Sequence, residues 1–196
     1  MKLRQFHTLP RGLFMSTLMF NMLAITAVQG APLLMKAVIA GKDLGCEMTL
    51  RESVLQFNPL RTNQLMGAIQ THQIMPLRMQ LACIDETKDI LPTLFLTGET
   101  PYAQDTSQTI FLNGTPNGVG FMVRQSTDNT PISQANFYQP SAAIGSGGTG
   151  HPLAMLNSGN LHQYETLLWV GVVGPFQPNI IVGHFHASLT LNVVFQ

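Results

Sequence analysis

The sequence predicts an all-β protein, a sandwich or barrel. Three observations carry this. Apolar residues recur in alternation or in short runs, and Gly, Pro and Asn separate them. Helical spacing of apolar residues with caps is hard to find after residue 31. The final stretch, GHFHASLTLNVVFQ (183–196), alternates: Gly183, Phe185, Ala187, Leu189, Leu191, Val193 and Phe195 share one parity, and the other is almost wholly polar. That period of two marks a half-buried strand.

The elements follow in order. LLMKAVIAG (33–41) reads as a first strand, and Cys46–Leu50 as a second or its continuation. Val54–Phe57 is a short strand stopped by Asn58-Pro59. MPLRMQLAC (75–83) alternates Leu77, Met79, Leu81 and Cys83. Thr93–Thr97 is a short apolar run, and Thr109–Leu112 leads into the turn residues NGTPNG (113–118). GVGFMVRQ (118–125) is a strand, and the glycine-rich stretch 139–150 reads as a flexible loop. YETLLWVGVVG (164–174) is nearly unbroken and apolar, as suits a central strand buried on both faces. GPFQPN (174–179) is a turn, and the last strand follows. No internal repeat or second domain is visible.

Residues 1–30 read as a secretory signal peptide. MKLRQFHTLPRG carries Lys2, Arg4 and Arg11 and no acid, an apolar run extends from Leu13 to Val28, and Gly30 offers a small exit residue. A spanning helix needs about 20 largely apolar residues, and Asn21 interrupts this shorter run. Residues 31–196 hold all ten acids and seven of the ten Lys and Arg, a formal net charge of seven minus ten, −3. There is no basic patch, so nucleic acid is not expected as a partner. In an exported chain the two cysteines, Cys46 and Cys83, are read as a disulfide. Closing a loop of this length stabilises by roughly 4 kcal/mol in the chain-entropy model.

Together these features resemble the pilins of the chaperone–usher class, the fimbrial subunits of Gram-negative bacteria. A signal peptide precedes an extended stretch and the first cysteine, the second cysteine closes a strand within MQLAC, and a GVGFMV strand lies past the middle. Pilins carry a glycine fourteenth from the C-terminus and a penultimate aromatic; Gly183 and Phe195 hold those places, with Phe where Tyr is commoner. The resemblance implies an incomplete immunoglobulin-like β-sandwich completed by a donated strand. It divides the chain into signal peptide 1–30, N-terminal extension 31–45 and pilin domain 46–196.

The resemblance further implies a structural subunit, not an enzyme, with no cofactor and no metal. Such a subunit polymerises by donor-strand exchange and supports adhesion. In the extension, Leu33, Met35, Ala37, Ile39 and Gly41 share one parity and would be the donor residues. Pilin extensions carry a glycine about seven residues before the first cysteine; Ile39 stands there, with Gly41 two residues later. Gly183, Phe185, Ala187, Leu189, Leu191, Val193 and Phe195 would form the terminal strand that a chaperone and usher read. The implied partners are a periplasmic pilus chaperone, an outer-membrane usher, other fimbrial subunits and, through the fibre, a host receptor. The implied route is export through the periplasm to a fimbrium on the cell surface.

Other constellations carry less. His184 and His186 lie two apart on the terminal strand, and with His151 or His162 they have the residue types of a zinc site. No carboxylate or cysteine flanks them at ligand spacing, so a polar strand face is the preferred reading. Asp85, Glu86 and Asp89 make an acidic cluster without the Asp-x-Asp-x-Asp-Gly order of a calcium loop. Trp169, between Leu168 and Val170, reads as core. The alternative function is a single-domain secreted or tip-located glycan-binding module using the loop 139–150.

Overall fold

The computed structural model describes residues 31–40, 45–126 and 128–195. The segment read from the sequence as a signal peptide (1–30), Gly41 of the expected donor residues and Gln196 lie outside them. Among the described residues nine strands form: β1 (Ala31–Ala40), β2 (Cys46–Leu50), β3 (Val54–Phe57), β4 (Gln70–Cys83), β5 (Pro92–Thr97), β6 (Gly120–Gln125), β7 (His151–Pro152), β8 (Gln163–Gly174) and β9 (Ala187–Phe195). The single α-helical element among the described residues, α1 (Gln134–Phe137), has four residues.

The strands make two sheets, one ordered β3-β1-β9-β5-β7 and the other β2-β4-β8-β6. Every pairing of named strands is antiparallel except β1 with β9, which is parallel. The inward faces pack as a sandwich. Alternation decides which residues face in: Leu77, Met79 and Leu81 of β4 and Leu94 and Leu96 of β5 are all buried. Phe57 and Phe121 meet across the core with ring centroids 5.4 Å apart. Cys46 and Cys83 stand opposite one another in the β2–β4 ladder and are bonded.

From Leu168 to Gly174 the strand β8 is buried on both faces because sheet two has a second apolar layer outside it. Tyr102, Ile110, Leu112 and Phe137 come from the long connections and cover Met122, Trp169 and Val173. The Tyr102 hydroxyl donates to the Val119 carbonyl (2.7 Å) and accepts from the Gly118 N–H (3.0 Å), so the connection is fastened as well as packed. Gly171, mid-strand in β8, leaves room for this layer: a Cβ there collides with the Phe137 ring. Gly171→Val is therefore expected to cost about 1–3 kcal/mol by overpacking, read as a lower urea midpoint at unchanged slope.

Several elements differ from the sequence reading. β4 starts at Gln70 rather than 75, with an irregularity between Thr71 and Gln73. Thr109–Leu112 makes only an isolated bridge, Phe111 to Phe121, on the edge of sheet two beside β6, with Phe111 in the inner core and Ile110 and Leu112 in the outer layer. The stretch 139–150 is anchored: the N–H groups of Ile144, Ser146 and Gly147 donate to the carbonyls of Val123, Gln108 and Leu96 at 2.9, 2.8 and 3.1 Å. Its glycines serve close packing as much as freedom, since a Cβ on Gly145 would strike the Ser107 carbonyl.

Candidate functional site

The candidate site is the slot in sheet one between β3 and β9, which β1 fills. Inward residues of β1 follow the parity read from the sequence: Leu33 is 0% exposed and Met35 6%, while Ala37 and Ile39 are partly buried against the same core. Leu34 and Lys36 point to solvent. Leu33 lies opposite Ala187, Met35 opposite Leu189, Ala37 opposite Leu191 and Ile39 opposite Val193.

The two halves of β1 are held differently. Residues 31–34 pair with β3 on one edge, and from Leu33 onward the strand pairs with β9 on the other. The Met35 N–H donates to the Ser53 carbonyl at 2.8 Å, beyond the last β3 pair. From Lys36 to Ala40 the only ladder is with β9. Residues 33–35 are thus tied on two edges, residues 31–32 on the β3 edge alone and residues 36–40 on the β9 edge alone.

The opposite wall is β9. Ala187, Leu189, Leu191, Val193 and Phe195 all face inward and are buried. The alternation begins at Ala187, not Gly183. Gly183 is exposed, and Phe185 is half-buried with its ring 5.5 Å from Phe121. The physical reason is Asn113. Its N–H donates to the His186 carbonyl (2.9 Å) and its Oδ1 accepts from the Ser188 N–H (2.9 Å), so a side chain and a loop occupy the edge before the ladder with β5 begins.

The ladders define two ends of the sandwich. The entry end holds the start of β1 and the loops 58–69 and 175–186; the exit end holds the end of β1, Cys46, Cys83 and the loops 84–91 and 153–162. This separates the histidines. His184 and His186 lie at the entry end and His162 at the exit end, its buried ring 3.0 Å from the Lys88 carbonyl. His151 sits 2.7 Å from Gln125 Oε1. No group of three metal-ligating side chains occurs among the described residues. Asp85 and Asp89 are exposed on the exit-end loop. Trp169 belongs to the outer apolar layer, its indole N–H donating to Ser126 Oγ at 3.3 Å.

Burial holds the His72 and His151 imidazoles below their ordinary pKa; at His72 the Gly174 carbonyl, 3.2 Å away, opposes it weakly. Above the ordinary value of about 6.5 these rings are neutral whether the chain is folded or not. As pH falls below it, the unfolded chain takes up protons that the folded chain refuses, and stability declines until the lowered folded values are passed. Urea midpoints are expected to fall between pH 7.5 and 5.5, and His72→Gln with His151→Gln is expected to flatten that slope.

A two-sheet β-sandwich, with one strand place in sheet one taken by the segment preceding the first cysteine, is the immunoglobulin-like fold of pilus subunits. The structure is similar to the crystal structure of the P pilus rod subunit PapA, at 16% identity over 78% of this chain and 99% of that one, with a TM-score of 0.54. It is also similar to a chain in a chaperone–usher pilus structure described in terms of rod uncoiling, at 16% identity over 80% of this chain and 91% of that one, TM-score 0.53. No family model matches the sequence, and no curated protein matches it.

Proposed function

We propose that the protein is a structural subunit of a chaperone–usher fimbria that polymerises when β1 of one copy enters the slot of another, and that the fibre supports adhesion. The observation that carries this is the slot itself. It is a full strand place, lined by β9 and β3, filled by a segment that continues into the rest of the chain only through residues 41–45. β-strand addition of this kind takes affinity from main-chain bonds and specificity from alternate side chains. Leu33, Met35, Ala37 and Ile39 supply that alternation. The half tied on one edge, 36–40, is where displacement starts. An empty slot exposes an apolar floor and an unpaired edge, an aggregation hazard; a periplasmic chaperone and an outer-membrane usher are the partners that would cover and then fill it. Nothing in this role requires a catalytic group, and the site is the cell surface.

The test is assembly of the full chain. Concentrated protein should form multimers that resist detergent and dissociate on boiling, and Leu33→Asp should abolish them. A wild-type chain that stays monomeric under every condition, with β1 never exchanging with a labelled peptide of residues 31–45, would overturn the reading.

A further inference from the structure

The turn NGTPNG (113–118) holds both Asn-Gly pairs of the chain, Asn113-Gly114 and Asn117-Gly118. An asparagine before a glycine carries a leaving group and has a nucleophile next to it. The backbone nitrogen of the glycine attacks the asparagine Cγ, and the glycine has no Cβ to hinder the approach. The N–Cγ bond forms, the nitrogen gives up its proton, and the Cγ–Nδ2 bond breaks with release of ammonia. Water then opens the five-membered succinimide. The product is aspartate, or isoaspartate, in which the main chain runs through the former side chain. Water is the only co-reactant.

The two pairs are held differently. Gly118 is buried. Its N–H donates to the Tyr102 hydroxyl at 3.0 Å in the interior, and Asn117 Oδ1 accepts from the Val119 N–H at 3.1 Å. A Cβ on Gly118 would strike Ile180, and Tyr102 belongs to the outer apolar layer. The Gly118 nitrogen is therefore freed only when that layer opens. Gly114 is exposed, with φ 84°, and nothing lies within 4 Å of the place a Cβ would take. Its N–H donates to Glu99 Oε2 at 3.0 Å, and Asn113 Oδ1 accepts from the Ser188 N–H at 2.9 Å. Both of these bonds lie in solvent. Asn113 thus reaches the cyclic intermediate by opening two exposed bonds, with open space around the ring that forms.

What Asn113 holds gives the reaction a consequence. The ladder between β9 and β5 begins only at Thr190. Residues 187–189 have β1 on one edge, and Asn113 stands on the other, its N–H on the His186 carbonyl and its Oδ1 on the Ser188 N–H. We propose that Asn113 is a self-modification site, that it deamidates in the folded chain while Asn117 is spared, and that isoaspartate at 113 opens this edge of β9. In isoaspartate the former side-chain carbonyl joins the main chain, which is one carbon longer. The N–H and that carbonyl then no longer span His186 and Ser188 together. The reaction also replaces a neutral amide by a carboxylate near that of Glu99, and the repulsion disfavours closing the turn again. Since β9 is a wall of the slot, its entry end loosens where β1 lies. This holds whichever copy supplies β1, so it stands apart from the strand-exchange reading.

The test keeps the full chain at mildly alkaline pH, folded or in urea, and digests samples at intervals for mass analysis, with isoaspartate read by isoaspartyl methyltransferase labelling. In urea the two asparagines should convert at similar rates. In the folded chain Asn113 should convert only about fivefold more slowly than in urea, the factor that two weak exposed bonds impose. Asn117 should be slowed at least about a hundredfold, since its release needs the outer layer to open. Folded-state conversion of Asn117 as fast as that of Asn113 would overturn the inference, as would an Asn113 that stays an amide in the folded chain while the urea sample converts. Hydrogen exchange reads the consequence. Amides of residues 186–190 should lose protection as the wild-type chain ages. Asn113→Asp keeps an acceptor for the Ser188 N–H and has no amide to lose, so it should hold its protection over the same incubation. Equal loosening in both chains, or none in a wild-type chain fully converted at 113, would overturn the part given to isoaspartate.

Discussion

A chain lacking residues 31–40 is expected to melt at least about 10 °C below the full chain, taking about 5 kcal/mol lost and 2–4 °C per kcal/mol for a domain of this size. Leu33 and Met35 are fully enclosed, and burying such a side chain contributes roughly 1.5–3 kcal/mol. Ala37 and Ile39 add partial burial, and removal of β1 strips residues 187–194 of β9 of one ladder partner, leaving only β5. The inner residues Leu33, Met79, Leu189 and Phe57 share one core, so the loss reaches both sheets. A peptide of residues 31–45 in excess should return about half of the lost midpoint. At a hundredfold over its dissociation constant it stabilises by about 2.7 kcal/mol. Single substitutions separate side-chain burial from general sensitivity: Leu33→Ala should cost about 2–5 kcal/mol and the exposed Lys36→Ala within about 0.5 kcal/mol. A truncated chain that melts with the full one would mean that the sandwich is complete without β1, and the role proposed for the slot would fall.

What the sequence discloses about β1 has a sharp boundary. The parity of Leu33, Met35, Ala37 and Ile39 is legible because a strand with one buried face must alternate. Which chain's slot receives that face is not, since the same alternation serves its own sheet or a neighbour's. Strands bounded by punctuation are legible to the residue: Val54–Phe57 stops at Asn58-Pro59, and Cys46–Leu50 has its partner cysteine opposite. The start of β4, Gln70–Ile74, is hidden because it lies beyond the reach of β2 and carries polar residues on a half-open strand. The outer layer on sheet two is hidden for another reason. Tyr102, Ile110 and Phe137 come from two separate connections, with no common period to betray a shared face. The exposed apolar residues at the two ends of the sandwich belong to the same class, lying on loops far apart in sequence.

Replacing Cys46 and Cys83 by alanine is expected to destabilise by about 4 kcal/mol, a drop of about 8–16 °C in midpoint, because the bond removes loop-closure entropy from the unfolded chain. The two residues are separated by 37 in sequence, so the loop is long enough for the entropic term to dominate over the small packing change of two half-empty sites. Where the bond lies gives the prediction a second part. Cys46 is the first residue of β2 and stands just after the connection from β1; Cys83 is followed by Ile84, whose N–H donates to the Gly45 carbonyl at 2.8 Å. The disulfide therefore clamps the place where β1 leaves the body, and it also anchors the exit-end loop through the Cys83 N–H bond to His162. Without it the ladder β2–β4 should fray from this end while the slot wall β9 and its neighbour β5, which it does not touch, keep their pairing. Hydrogen exchange is expected to rise first in residues 46–50 and 80–84 and last in 187–195. Uniform loss of protection across both sheets would show instead that the bond holds the fold as a whole, and that the exit end does not open independently.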